Sequence, residues 1–584
     1  MTLSSNNSVP VREAPAVALL SSRPADPARP SVPIEPVLAV NNIQGNIIGG
    51  FNKDHQTMLF LRVRRDGDVQ DHLAAFKRWL HAFVPFIATA EEVLAFNRLF
   101  KAIRQRNKAE TRTVQSTWIN IAFSFDALSM LSPKDAELFT DQAFREGLAK
   151  RAVSTLSDPA KPEMEGNPKN WVFGGPGNEP DVVIIVASDD PDDLAATVDR
   201  IEASIYGGRS ANGDSLPSGV HVVYKQQGAT LPPPLTGHEH FGFLDGVSQP
   251  AIRGRLSSDP HDVLTLRQNP NDPDQGKPGQ DLLWPGEFVF GYPGQKGNAT
   301  EAEGGVAAKG ADSLIGRGPS WAKDGSFLVV RRLRQDVPGF HAFLRDTAQS
   351  LNIGSDELGA RLVGRWKSGA PVLRAPGADV PALAADDCAN NNFEFQDVTA
   401  KIPPGAGGPT QCSDHTFKQS EGDKTGAICP FAGHIRKTYP RDDTGTLSNA
   451  IGEVSTQTHR LLRRGIPFGQ PFFEPKDASK MPDDGNRGLV FAAYQTSIVE
   501  QFEFVQASWA NNIDFKDVRV AGSVQSGHDL IIGQSNANDV RVRRCRVTVG
   551  ESQIEIEAPR DWVIPTGGGY FFAPSISALG LLTA

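Results

Sequence analysis

The first half of the chain repeats one order of strand and helix patterns, and this order limits its fold more than any other feature. Met58–Val63 has the composition of a strand. Apolar residues recur at helical spacing in Asp71–Ile87, and Ser116–Phe125 alternates apolar and polar residues as a half-buried strand does. The same order follows as strand, helix and strand at Asp181–Ser188, Asp190–Ile205 and Gly219–Gln227. This arrangement predicts a ferredoxin-like α+β unit.

The second half has the same pattern with longer loops. A strand is predicted at Ser326–Asp336, followed by a helix at about Phe340–Leu351. Another strand is predicted at Asn486–Gln495, followed by a helix at Thr496–Gln506. No strand-to-helix turn carries a phosphate-binding glycine pattern. Two related α+β domains therefore fit the sequence better than a doubly wound sheet.

The composition is that of an ordinary globular protein. Of the 584 residues, 22% are charged and 39% are apolar. The net charge of −9 argues against a broad nucleic-acid-binding face, which needs clustered basic residues. No apolar run approaches the roughly 18 residues of a membrane span. We therefore expect neither a nucleic acid nor a membrane as partner.

Residues 1–38 are predicted to form a disordered leader. They are rich in Pro, Ser and Ala, and their longest apolar run, Ala16–Leu20, is shorter than the apolar core of a secretory signal. Only one basic residue, Arg12, precedes that run. We expect no Sec signal, which leaves a cytoplasmic location or export by another route open. A targeting or docking tail is the alternative interpretation.

The four cysteines are widely spaced and form no CxxC pair. They are Cys388, Cys412, Cys429 and Cys545. A zinc knuckle or an iron–sulfur cluster is therefore not expected, while up to two disulfides are compatible with the count.

The segment Cys429–Arg441 is the first candidate site. Small and apolar residues precede His434, and the cations Arg436, Lys437 and Arg441 follow it. Small residues let a flat macrocycle come close, a neutral imidazole binds iron, and cations meet anionic propionates. A surface histidine beside basic residues is the alternative explanation of the same pattern.

The segment His240–Pro250 is the second candidate. Gly242 and Gly246 flank Asp245 within an aromatic and apolar run. Because glycine permits positive φ and close backbone approach, the carboxylate can be aimed into a tight cavity. A simple β-turn at the Asp-Gly pair is the alternative.

The segment His459–Phe473 is the third candidate. Arg463 and Arg464 precede Gly465 and Pro467, so a helix is predicted to end there and to present a guanidinium at its terminus. The alternative is a basic helix end, which the helix dipole favours without any catalytic role.

Together the three segments resemble the family of dye-decolorizing peroxidases. Gly242–Gly246 matches its GxxDG motif, Cys429–Arg441 resembles its proximal-histidine segment, and Arg463–Gly469 resembles its distal-arginine segment. Further similarity lies in Asn42–Ile47, Pro285–Pro293, Asp324–Val337 and Gly488–Gln495. The resemblance spans roughly residue 41 to the C-terminus in the family's order, and the chain length suits the longer subclass.

The resemblance implies an α+β fold of two ferredoxin-like domains of the dimeric α+β barrel type. An N-terminal domain at 39–275 would carry the GxxDG motif, and a C-terminal domain at 276–584 would hold haem b. It also implies reduction of hydrogen peroxide and oxidation of bulky aromatic substrates, such as dyes and phenols, through high-valent iron. A homodimer is compatible with it.

The resemblance also implies residue roles. His434 would be the proximal iron ligand, Asp245 would shuttle the peroxide proton, and Arg463, with Arg464 as the alternative, would stabilise charge during O–O cleavage. An Asp titrates near ~3.9 and a His near ~6.5, so a base made of Asp predicts activity on the acidic side of neutrality.

Further residues follow from similarity or from residue type. From Gly527–Gln534 we expect Asp529 to accept the free N–H of the ligand imidazole, with Glu500 as the second candidate. Two more residues are candidates for the lining of the distal pocket, although membership of a core strand accounts for them equally well. Three others are candidates for long-range electron transfer, although packing in the core accounts for them better. The first two are Leu489 and Phe491, and the other three are Trp366, Trp509 and Tyr439.

Two other functions are open. A haem-binding or haem-iron-handling protein would share His434 without needing Asp245, and a non-haem structural or cargo protein would need neither. An absorption spectrum separates the second from a peroxidase, and replacement of Asp245 separates the first.

Overall fold

The computed structural model describes residues 35–107, 114–207, 218–267, 274–295, 310–396, 417–418, 420–443, 456–472, 485–515, 525–535 and 541–584. The predicted leader lies mostly outside these residues. Its last four residues, 35–38, are part of the fold, since Leu38 is buried and its N–H donates to Arg255 O at 2.9 Å.

Thirteen strands occur in the described part of the chain. They are β1 His55–Val63, β2 Thr117–Phe123, β3 Val182–Ser188, β4 Val220–Ala229, β5 Ala251–Ile252, β6 Leu282–Leu283, β7 Ser326–Gln335, β8 Leu462–Arg463, β9 Ile466–Phe468, β10 Gly488–Gln495, β11 Arg543–Val549, β12 Ser552–Ala558 and β13 Val563–Ala573. Nine of them form one sheet in the order β4-β1-β3-β2-β13-β7-β10-β8, with β9 also paired to β10.

The helices connect these strands. The α-helices are Gly45–Ile48, Val69–Phe83, Ala90–Asn107, Phe125–Leu131, Pro133–Ala136, Gln142–Glu146, Leu148–Ala152, Pro191–Tyr206, Val337–Leu351, Ser355–Val363, Pro381–Ala385, His434–Thr438 and Ile576–Leu582. Short 3-10 turns are Val84–Phe86, Pro168–Asn170, Pro285–Glu287 and Ser320–Ala322, and Ile498–Ala510 is a π-helix. None of the described helices is long and apolar enough to cross a membrane.

The order β4-β1-β3-β2 is that of an antiparallel ferredoxin-like unit. Helices Val69–Phe83 and Pro191–Tyr206 pack on one face of it, through side chains such as Phe76, Leu80 and Ile201. Each helix begins at an aspartate whose side chain accepts two backbone N–H groups of the first turn.

The second half repeats this arrangement as β13-β7-β10 with β8 and β9 at the edge. Helix Val337–Leu351 follows β7, and the π-helix Ile498–Ala510 follows β10. The predicted α+β class with two ferredoxin-like units is confirmed. The helix predicted at Thr496–Gln506 is a π-helix and not an α-helix. The periodicity of its apolar residues does not reveal this difference in hydrogen bonding. The division at residues 275 and 276 stays a prediction.

The two halves meet where β2 and β13 pair, with Phe123 opposite Phe572. Beside this short junction lies Gln44, which is fully buried. Its amide donates to Ile121 O at 2.9 Å and to Pro574 O at 2.7 Å, and it accepts from Ile121 N–H at 2.9 Å. One side chain therefore replaces the hydrogen bonds that a longer strand pairing would supply.

We expect Gln44→Leu to lower the free energy of unfolding by about 2–4 kcal/mol, because a donor and two acceptors lose their partners inside the core. Thermal unfolding followed by circular dichroism measures the effect, with Gln553→Leu on exposed β12 as the control. Equal midpoints for the two variants would contradict this role of Gln44.

Candidate active site

A cavity of about 300 Å³ lies against the second half of the sheet. Strands β7, β10 and β13 contribute Leu333, Leu489 and Val563 to its wall, and the loop that carries Asp245 and the helix that begins at His434 close it. Most of the lining side chains are apolar. This is the usual character of a cofactor or small-molecule site.

His434 is the first residue of the five-residue helix His434–Thr438 and lines the cavity. Its Nδ1 lies 2.7 Å from Oδ2 of Asp529, whose side chain is fully buried. The other oxygen of Asp529 accepts the N–H groups of Ile531 and Ile532 at 2.7 and 3.2 Å. Asp529 therefore fixes Nδ1 as the donor, and Nε2 makes no hydrogen bond within the described residues.

Asp529 also sets the protonation of the imidazole. Burial acts to lower the pKa of His434, but the charge and hydrogen bond of Asp529 outweigh burial and raise that pKa above its usual value. Glu500, the second candidate for this partner, is instead on the surface, 3.4 Å from Arg317. Asp529 is thus the residue that the structure brings to His434.

Asp245 and Arg463 face each other in the same cavity. Nη1 of Arg463 donates to Oδ1 of Asp245 at 3.0 Å, and the N–H of Gly246 donates to the same oxygen at 2.6 Å. Burial acts to raise the pKa of Asp245, yet Arg463 and this N–H hold it below its usual value. The predicted need for glycine is confirmed, since φ is +93° at Gly242 and +73° at Gly246. Gly242 shapes the loop without lining the cavity.

The predicted helix end at Arg463 is wrong. Arg463 belongs to strand β8 and pairs with Ala493 of β10. A Cβ on Gly465 would lie 2.7 Å from Val490 O, so this glycine serves the close approach of two strands and not a helix end. The side chain of Gln249 continues the pairing, because it accepts Arg463 N–H at 3.3 Å and donates to Arg463 O at 3.1 Å.

The two neighbouring arginines point to different places. Arg463 reaches Asp245, whereas Arg464 donates to Asn46 O at 2.9 Å and Ile47 O at 3.0 Å. Burial lowers the pKa of Arg464 to about 10. Alternation of side chains along an extended segment explains the separation. Arg464 therefore holds the short helix near residue 46 and is absent from the cavity lining.

Arg436 does not line the cavity either. Its guanidinium donates to Asp443 at 2.7 Å and to Asp423 at 3.2 Å. Two residues along a helix correspond to a rotation of about 200°, so a side chain at 436 points away from that at 434. The predicted contact of Arg436 with a propionate is not supported by this placement.

Besides Arg463, four arginines line the cavity: Arg331, Arg365, Arg441 and Arg460. The sequence analysis named only Arg441 among them. Arg365 donates to Gly369 O and Asn390 O, both at 2.8 Å, and no described carboxylate pairs with it. Burial, followed by the charge of Arg441, lowers the pKa of Arg365 to about 9. Sequence spacing could not group the other three, since they come from three distant segments of the chain.

Other predicted residues fall in two groups. Leu489 and Phe491 are two residues apart on β10, so their side chains share one face of the sheet, and both line the cavity. Of the three electron-transfer candidates, Trp366 and Trp509 are buried, at 6% and 5% exposure. Tyr439 alone of the three lines the cavity, and its hydroxyl donates to the buried Asp281.

Comparison with known proteins gives a consistent result. Residues 42–232 match the family model described as the DyP dimeric alpha+beta barrel domain. A dye-decolorizing peroxidase of Mycena epipterygia is 31% identical, with 99% of this chain and 95% of that protein aligned. One from Auricularia auricula-judae is 33% identical, with 93% of this chain and 86% of that protein aligned.

Solved structures agree. An ancestral D-type dye decolorizing peroxidase has a TM-score of 0.69 at 33% identity, covering 94% of this chain and 100% of that chain. A mutant of the dye-decolorizing peroxidase from Pleurotus ostreatus has a TM-score of 0.70 at 31% identity, with the same coverage. Another dye-decolorizing peroxidase, with a TM-score of 0.65 at 30% identity and the same coverage, has a heme pocket that was engineered for asymmetric sulfoxidation.

The fold and these relationships define a haem-dependent peroxidase built from two ferredoxin-like units. The chain belongs to the family of dye-decolorizing peroxidases, because relatives at 31–33% identity extend over nearly its whole length.

The two arginines predict opposite phenotypes. We expect Arg464→Leu to lower the free energy of unfolding by about 1–3 kcal/mol, because three backbone carbonyls lose their guanidinium donor, while the folded fraction keeps its peroxide reactivity. Arg463→Leu should leave stability nearly unchanged, since its ion pair is 32% and 38% exposed, and should impair the peroxide reaction. Thermal unfolding and stopped-flow mixing measure both; exchanged phenotypes would contradict the assignment.

Proposed function

We propose that the protein reduces hydrogen peroxide and oxidises bulky aromatic reductants, such as dyes and phenols, with haem b held by His434. The observation that carries this proposal is the free Nε2 of His434, which shares one cavity with the Asp245–Arg463 pair. The names of the relatives support the class of reductant.

The residues present fit haem b. The cavity wall is largely apolar, as a porphyrin requires, and a half-buried imidazole offers one unbonded nitrogen. Besides Arg463, four arginines line the same cavity. Arg331 is paired with the buried Asp158, whereas Arg365 lacks a carboxylate partner in the described structure. We assign Arg365, Arg441 and Arg460 to the propionates. When bound, haem supplies the redox-active iron that takes electrons from the reductant and passes them to peroxide.

Asp529 orients the ligand imidazole and makes it more basic. By accepting the Nδ1–H of His434 at 2.7 Å, it holds the ring with Nε2 toward the cavity and increases the basicity of that nitrogen. Two backbone N–H groups fix the position of Asp529, so the ring cannot rotate without losing its hydrogen bond to this carboxylate.

Asp245 moves the proton of peroxide. Its Oδ1 is engaged by Arg463 and Gly246, whereas Oδ2 has no hydrogen-bond partner among the described residues. Oδ2 accepts the proton from one peroxide oxygen and returns it to the other. Arg463, directed by Gln249 and by β10, stabilises the negative charge that develops on the leaving oxygen.

We expect Asp245→Asn to slow the second-order reaction with hydrogen peroxide by about 10²–10⁴-fold, because the amide cannot take the proton. The variant keeps the size of the side chain, so the haem content should not change. The Soret band measures haem content, and stopped-flow mixing with peroxide measures the rate. A haem carrier with incidental activity would show the same rate in both proteins, and a protein without haem would show no Soret band.

The pH profile follows from the lowered pKa of Asp245. A carboxylate with a lowered pKa is ionised above that value and loses its function as base only below it. We therefore expect the rate constant for peroxide to stay high through mildly acidic solution and to fall only below the usual Asp value of 3.8. A rate constant that reached its maximum above neutrality would show that Asp245 is not the working base.

A further inference from the structure

Glu239 lies six residues before Asp245, lines the same cavity and has no part in the mechanism above. Its carboxylate accepts three hydrogen bonds. Oε2 accepts the N–H of Phe241 at 2.8 Å and the amide of Gln335 at 2.5 Å, and Oε1 accepts the N–H of Phe243 at 3.0 Å. Three donors converging on one buried carboxyl group form a strong local constraint.

The constraint acts on the loop that carries Asp245. Within this loop, Glu239 N–H donates to Phe243 O at 3.0 Å, and Gly242 N–H donates back to Glu239 O at 2.9 Å. Asp245 N–H donates to Gly237 O at 3.0 Å. The backbone therefore doubles back on itself, and the carboxylate of Glu239 fills the inside of the turn.

Gln335 connects this loop to the sheet. It is the last residue of β7, and Leu333, two residues earlier on the same face, pairs with Leu489 of β10. Strand β10 also pairs with β8, which carries Arg463. The bond between Glu239 and Gln335 thus joins the segment that presents Asp245 to the sheet that presents Arg463.

We propose that Glu239 is a positioning residue for the peroxide reaction: its carboxylate holds the loop in which Asp245 stays within 3.0 Å of Arg463. The inference rests on the proposed function of Asp245. It assigns Glu239 no contact with peroxide or with haem.

Glu239 can influence the titration of Asp245 through the position of the loop and not through its own charge. The charged groups facing Asp245 are Arg463 and His434, which lower its pKa, and Glu239, whose own pKa is raised to about 7 by burial and, in smaller part, by Asp245. Because Glu239 is already protonated at the low pH where Asp245 titrates, Glu239→Gln removes no charge in that range. Loss of position would separate Asp245 from Arg463 and raise the pKa of Asp245 toward 3.8.

The first test compares Glu239→Gln with Glu551→Gln, an exposed residue in the turn between β11 and β12. In the haem-loaded Glu239→Gln protein, the rate constant with peroxide should fall by about 10–100-fold, since a displacement near 1 Å has such an effect. The acidic limb of its pH profile should move upward, and the KM for the aromatic reductant should not change. An unchanged rate constant, or a limb that moves downward, would overturn the proposal.

The second test is hydrogen exchange of the full-length, haem-loaded chain by mass spectrometry. In Glu239→Gln, the amides of Phe241 and Phe243 should exchange about tenfold faster, because they bind the two different oxygens of Glu239 and a glutamine amide offers only one acceptor oxygen. Gln335→Met, which removes one donor and keeps the backbone bonds, should give a smaller loss of peroxide rate in the same direction even where Glu239→Gln does not fold. Unchanged exchange in Glu239→Gln, or an unchanged rate in Gln335→Met, would overturn the proposal. Failure of the Asp245→Asn prediction would reject the proposed function and leave the exchange result intact.

Discussion

The antiparallel pairing of β10 with β7 on one edge and with β8 and β9 on the other determines where the distal residues lie. Leu489 and Phe491 enter the cavity because residues two apart on β10 point to the same face of the sheet. Arg463 enters it because β8 pairs with β10, which places Arg463 opposite Ala493. The side chain of Gln249 also hydrogen-bonds to the backbone N–H of Arg463. A shift of one residue in this register would turn each of these side chains to the other face of the sheet.

The cavity also depends on charges that are held in fixed pairs. Asp529 lies behind His434, and Arg463 lies beside Asp245, so each group that we assign to chemistry has a partner fixing its direction. The pKa of His434 rises and that of Asp245 falls for the same physical reason, an opposite charge that outweighs burial. Such preorganised pairs avoid reorientation during the reaction.

The sequence was sufficient for the alternation of strands and helices and for the three chemical segments, because periodicity and local motifs carry that information. It failed where the outcome depends on distant partners. The segment ending at Arg463 has helix-end signals, yet strand pairing with β10 determines its conformation. Arg436 has the right neighbours in sequence, but Asp423 and Asp443 turn it away. Arg365 carries no local signal at all.

Arg365 also has a consequence for how the protein acquires its cofactor. The fold removes this cation from water and surrounds it with neutral oxygens, close enough to Arg441 for the two charges to repel. Uncompensated charge of this kind makes the cofactor-free chain less stable than the same fold with a dianion in place. Under the proposed assignment of Arg365 to a propionate, completion of folding and capture of the acidic macrocycle are thermodynamically coupled.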